Sequence, residues 1–137
     1  MSAFLQGSKD PMADIRASSL SNLAELCKHL KFALQPFIRE ILDCIYSIIY
    51  SEKEVEVRRG AVFVIELLFR GLSTEIFEII PNDLKKLYQL LKNLQSSETD
   101  EITQYHATLA LQDLNQINAF YISPEQQDVP DILKIVS

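Results

Sequence analysis

The chain has 137 residues, with 13 Lys plus Arg against 19 Asp plus Glu, a net charge of −6 and 47% hydrophobic residues. That length fits one domain, and the balance of charge and apolar residues, with only three Gly and five Pro, excludes a disordered or fibrous chain. A pI near 4.9 opposes binding to a phosphate backbone by counterion release, so no nucleic-acid partner is expected.

The N-terminus, MSAFLQGSKD, lacks the basic start and apolar run of a secretory signal. The most apolar stretches are broken by Arg39, Glu40 and Asp43 in one case and by Glu66 in the other, too early for a membrane span. Apolar residues recur three and four positions apart, which predicts an all-α fold. The first long helix is expected over about residues 11–30, opened by Asp10-Pro11 and carrying Ile15, Ser18, Ser19, Leu23, Leu26, Cys27 and Leu30 on one face. Gln35-Pro36 opens a second helix, with Phe37, Ile41, Ile45, Ile48 and Ile49 in a stripe that ends near Tyr50. A third runs from about Lys53 to Arg70 with Val57, Ala61, Val64, Ile65 and Leu68 on one face, and Gly71 as its C-terminal cap. A fourth, capped by Ser73 or Thr74, breaks between Pro81 and Asp83, because proline removes a backbone donor. Its second piece, Asp83–Leu94, buries Leu84, Leu87, Leu91 and Leu94 and exposes Lys85, Lys86 and Lys92. The last helix spans about Asp100–Tyr121, and SPEQQDVPD then marks an irregular acidic tail over residues 122–137.

An internal repeat runs through the odd-numbered helices. Asp14-Ile15-Arg16, Glu56-Val57-Arg58 and Glu101-Ile102-Thr103 each join an acidic to a β-branched residue; Ile15 and Val57 lie 42 positions apart and Val57 and Ile102 lie 45 apart. Both spacings fall in the range of two-helix HEAT-type units. Ser19, Ala61 and His106 or Ala107, then Leu23, Ile65 and Ala110, fall where neighbouring helices approach closely. The expected architecture is a HEAT-like α-solenoid of about two and a half to three helical hairpins over residues 1–121, the end of a longer array. Such units share one core through stacking, so a short first hairpin leaves an apolar flank near Phe4, Leu5 and Leu20 and predicts self-association through that end.

No catalytic constellation can be assembled. His29 and His106 stand on different helices, outside any metal-ligand spacing, and Cys27 and His29 point about 200° apart on one helix. Cys27 and Cys44 read as buried thiols, Gly60 as a packing glycine, and Gly7, Gly60 and Gly71 are too scattered for a phosphate loop. A hidden cleft around Glu52, Glu54 and Glu56 is the one enzyme-like alternative, and it lacks a nucleophile, a base and oxyanion donors. The reading is therefore no enzyme, no cofactor and no metal. Asp14, Arg16, Glu56, Arg58 and Glu101 are expected to form an inter-repeat ladder near the stacked turns. Lys28, Arg59, Glu66, Arg70, Gln104 and Leu111, away from the core stripe, form the candidate ridge for a protein or peptide partner.

At DPMADIRASSLSNLAELC, and again at EVEVRRGAVFVIELLFRGLS and HATLALQDL, the sequence resembles the C-terminal HEAT-repeat region of the transport and Golgi organisation protein 6 family, over most of residues 9–120. That family is similar to fungal factors for RNA polymerase II assembly and nuclear import. The resemblance implies a non-enzymatic helical scaffold that binds proteins in secretory transport and Golgi organisation. It also implies a cytoplasmic protein, Golgi- or ER-associated through its partners. An RNA polymerase II assembly or nuclear-import adaptor and a homo-oligomerisation module stand as alternatives.

Overall fold

Seven α-helices are present in a computed structural model that describes residues 1–121: α1 Ser2–Gly7, α2 Ala13–Leu30, α3 Ile38–Ser51, α4 Val55–Leu72, α5 Ile76–Ile79, α6 Leu84–Ser97 and α7 Glu101–Tyr121. Among the described residues there is no strand, so the fold is all-α. The expected acidic tail, 122–137, lies outside the described residues.

The helices pair as hairpins α1/α2, α3/α4 and α6/α7, and the second helices stack side by side, α2 on α4 and α4 on α7. Being covered on both flanks as well as by α3, α4 buries residues far beyond one stripe: Val57, Ala61, Val64, Ile65 and Leu68 as expected, and also Val62, Glu66, Leu67, Phe69 and Leu72. Each large apolar side chain moved fully out of water stabilises by about 1.5–3 kcal/mol, so α4 is the energetic centre of the array.

The hairpins repeat in local detail. Glu52 and Glu98 each follow a first helix with extended backbone, φ −77°, ψ 134° and φ −71°, ψ 136°. The residues that open the second helices, Met12, Glu54 and Asp100, are 42 and then 46 positions apart. The third unit is thus one residue further on than the expected 45. Thr103, at 1% exposure, stands in the place of Val57, whereas Ile102 is 46% exposed; likewise Ala107 and Leu111, not His106 and Ala110, match Ala61 and Ile65. The second helices α2 and α4 also end alike, on Lys31 (φ 48°) and Ser73 (φ 51°), again 42 positions apart.

Several local expectations are corrected by packing. On α2 the buried set is Ser19, Leu20, Leu23, Ala24 and Cys27, while Ile15 and Leu30 are exposed, because the helix rolls its Leu20 side under α4. The flank expected to be open is closed: Leu20 is fully buried, Leu5 is buried and Phe4 packs against the core. Gly71 is no cap but lies inside α4, against the backbone of α2; a Cβ there would stand 2.2 Å from the Cys27 carbonyl oxygen. Gly60 is the packing glycine expected, with Leu20 Cβ 3.0 Å from where its own would be. Pro36 lies in a 3₁₀ run, Lys31–Phe37, and α3 starts after it at Ile38. The break at Pro81 is present: α5 ends at Ile79, and a 3₁₀ turn, Pro81–Asp83, leads into α6.

Candidate functional site

The chemistry of this chain lies in its charged contacts between hairpins. At the turns, Arg16 on α2 donates from Nε and Nη2 to the two carboxylate oxygens of Glu52, at 2.7 and 3.1 Å. Arg58, 42 positions on in α4, pairs through Nη2 with Oε2 of Glu98. Glu52 and Glu98 also accept backbone N–H bonds two residues ahead, from Glu54 at 3.2 Å and Asp100 at 3.3 Å, and so tie the start of each second helix to the preceding unit. Burial pulls the Glu52 carboxyl up, but the Arg16 bonds and the N–H groups of Glu54 and Lys53 outweigh it and hold the group below the usual carboxylate range. Of the residues expected in the ladder, Arg16 and Arg58 are donors in these pairs. The acids are Glu52 and Glu98 in the turns, not Asp14, Glu56 or Glu101, which lie within the helices.

All of the expected ridge but Lys28, which is on α2, lies on α4 and α7, where the two helices meet. Arg59 makes a two-pronged pair with Asp100, at 2.8 and 2.7 Å, and Asp100 also accepts the Thr103 N–H and hydroxyl at 2.9 and 2.7 Å, capping α7. These bonds, Arg59 first, hold the Asp100 carboxyl far below its ordinary range. Two turns on, Glu66 is only 2% exposed and receives Arg70 at 2.9 Å and the His106 ring at 3.0 Å, while Arg70 reaches Asp113 at 3.0 Å. Glu66 and Leu111 are therefore buried and cannot present a ridge to solvent, and Gln104 is turned back onto the Glu98 carbonyl. Of the six predicted residues, Lys28 is exposed and Arg70 half-exposed. A stripe opposite the core faces solvent only on an outermost helix, and α4 is the middle one.

The first helices carry a third charged station that periodicity did not mark. Asp83, in the turn before α6, accepts both Nη atoms of Arg39 at 3.1 Å and the Tyr46 hydroxyl at 2.6 Å, and Lys86 lies over the Tyr46 ring, 3.9 Å from its centre. Burial raises the Asp83 carboxyl, but the bonds from Arg39 and Tyr46 dominate and leave it depressed. Only the i,i+4 pair Arg39–Asp43 was legible as spacing.

Two adjoining grooves of about 370 and 360 Å³ run along α3 beside the α1–α2 turn, sharing Lys9, Cys44 and Ser47. Within them Arg16 is paired with Glu52, and the Cys44 thiol meets the Ser8 hydroxyl at 3.1 Å. Burial pushes the Cys27 thiol up to about 12. Glu54 and Glu56 are exposed, and Glu52, which lines the larger groove, is held by Arg16. Among the described residues no three His, Cys, Asp or Glu side chains gather to hold a metal ion, and no helix is long and apolar enough to cross a membrane.

The chain is 32% identical over 117 residues, 85% of its length, to Transport and Golgi organization protein 6 of Drosophila melanogaster. This chain is related to Transport and Golgi organization protein 6. It spans 12% of the length of that relative. The family model described as "Required for nuclear transport of RNA pol II C-terminus 2" matches residues 83–116, from the Pro81 turn through α6 into α7. No solved structure matches the chain. Neither name is that of an enzyme, and both concern transport.

Proposed function

We propose that this chain is a protein-binding scaffold segment in transport, a HEAT-type stack of helical hairpins held in register by ion pairs. The observation that carries this is the relation to Transport and Golgi organization protein 6 across 85% of the chain. The recurrence of the turn pair, Arg16–Glu52 and Arg58–Glu98, supports the stacked reading, since each pair joins one hairpin to the next. Within it the main role is in secretory transport and Golgi organisation, with proteins as partners and no catalytic step. A second role, as an adaptor for nuclear transport of RNA polymerase II, is favoured by the match over residues 83–116.

One experiment separates the two. Cells expressing the full-length protein are compared with cells in which residues 1–121 of this segment are deleted from it, scoring Golgi morphology, cargo secretion and the nuclear fraction of RNA polymerase II. Failed secretion with a dispersed Golgi supports the first role, and cytoplasmic retention of the polymerase supports the second. No change in either would refute the proposal.

A further inference from the structure

The repeat also identifies a face that is covered in two second helices and bare in the third. On α4, the positions Val57, Gly60, Val64 and Leu67 are buried, with Gly60 against Leu20 of α2. The same positions on α7, 46 residues on, are Thr103, His106, Ala110 and Asp113, and they face α4: His106 meets Glu66 and Asp113 meets Arg70. On α2, 42 residues back, they are Ile15, Ser18, Asn22 and Glu25, and all four are exposed.

Charge marks both ends of this face. Asp10 stands where Glu52 and Glu98 stand, two residues before the start of its helix, and its carboxylate accepts the Met12 N–H at 2.9 Å as theirs accept the N–H of Glu54 and Asp100. Glu52 takes Arg16 and Glu98 takes Arg58; among the described residues no cation pairs with the Asp10 carboxylate. Glu25 occupies the place of Asp113, the acceptor for Arg70, and among the described residues its one basic partner is the exposed His29 at 3.7 Å. Basic residues recur at both places, Arg16 with Lys28 on α2 and Arg58 with Arg70 on α4, twelve residues apart in both, although α4 offers Lys28 Leu67 rather than an acid at the place of Asp113. On α7 the same two places hold Gln104 and Gln116, which are uncharged.

We infer that the outer face of α2, from Asp10 to Glu25, docks the second helix of a further hairpin that carries basic residues twelve positions apart, one for Asp10 and one for Glu25. This rests on the stacked reading above. The occupant is a like hairpin with basic donors rather than a second copy of this chain stacked end to end, because among the described residues α7 would offer Asp10 and Glu25 only Gln104 and Gln116 at those two places. The interface is thereby polar in direction: the α2 face accepts a unit with charged donors, and α7 holds uncharged residues at the donor places.

The test uses the full chain, extended ahead of Met1 by a copy of its own residues 38–88, which presents the Arg58 and Arg70 pair to α2. Ser18→Cys reports cover of the face, read as the maleimide labelling rate at position 18 by mass spectrometry. Labelling is expected to be at least about tenfold slower in the extended chain than in the parent, since exposure then requires the units to open. Asp10→Asn with Glu25→Gln, which keeps the helix-opening acceptor, should restore most of the rate. Thr103→Cys in the parent chain reports the existing α4–α7 contact; rapid labelling there would sink the stacked reading itself. Slow labelling at Thr103→Cys without protection at Ser18→Cys, or protection that ignores the charge-neutral variant, would overturn this inference alone. So would concentration-dependent protection of Ser18→Cys in the parent chain, which would make a second copy the occupant.

Discussion

Replacing Gly71 and Gly60 by alanine, one at a time, should give effects of different size from the same chemistry. Gly60 lies in the interior of α4 and Gly71 is its next-to-last residue, neither with a positive φ, so substitution gains about 1 kcal/mol of helix propensity at Gly60 and less at Gly71. The steric terms differ. At Gly71 the new methyl would stand 2.2 Å from the Cys27 carbonyl oxygen and 3.1 Å from the Cys27 carbonyl carbon, both backbone atoms of α2 that cannot turn aside. Relief requires α4 to move away from α2 by about 1 Å, which loosens dispersion contacts along the tightest interface of the fold; overpacking of this kind costs about 1–3 kcal/mol or more. At Gly60 the nearest atoms are Leu20 Cβ at 3.0 Å and Cδ1 at 3.3 Å, and a few tenths of an ångström of side-chain adjustment suffice. Gly71→Ala should therefore be destabilised by roughly 2 kcal/mol net, about 4–8 °C in Tm, and Gly60→Ala should lie within about 1 kcal/mol of the parent. Urea unfolding followed by circular dichroism at 222 nm measures both. A Gly71→Ala protein as stable as the parent would refute the close α2–α4 approach, and a strongly destabilised Gly60→Ala would place the tight contact at the wrong end.

Other outcomes follow from the same contacts. Ser73→Gly should stabilise by about 0.5–1 kcal/mol in thermal unfolding, because φ 51° strains a residue with a Cβ by about 1–3 kcal/mol and the entropy of an added glycine offsets part of the gain; Lys31→Gly should behave alike. Tyr46→Phe removes the hydroxyl that reaches Asp83 at 2.6 Å and should cost about 1 kcal/mol in urea unfolding, with helix content unchanged. Stability should fall in acid: Asp100, Asp83 and Glu52 have folded-state pKa values below their unfolded ones, so their contribution is complete above about pH 5 and is lost as pH drops through 4 and below. Urea midpoints between pH 7 and pH 2 test this, and a flat profile would contradict the paired state of these carboxylates.

Much of the fold was legible because the hairpins obey local rules. Helical period marked α2, α3, α4, α6 and α7, and Pro81 marked the break. What escaped depends on contacts between units. Arg16 and Arg58 were singled out for a ladder with Asp14, Glu56 and Glu101, whereas their acceptors Glu52 and Glu98 stand in turns, where no helical spacing links them to a donor 36 or 40 residues away. Glu66 read as solvent-facing because one helix considered alone has an outside; α7 turns that side into an interior, and His106 with Arg70 makes the buried carboxylate tolerable. Gly71 matched the usual signature of a C-terminal cap, and only the position of the Cys27 carbonyl shows that small size, not a left-handed backbone, is what the site requires. The helix instead runs to Leu72 and turns at Ser73.

The claim on which the account rests is that neighbouring hairpins are joined through repeated arginine–turn-acid pairs, and a double-mutant cycle across the pair with the buried acid tests it most directly. Arg58→Met, Glu98→Gln and the double variant are unfolded in urea beside the parent. Glu98 has a side chain only 3% exposed, so each single change should be costly and the coupling between them should be about 1–3 kcal/mol. Strictly additive losses, with a coupling below about 0.3 kcal/mol, would mean that Arg58 and Glu98 do not hold the units together.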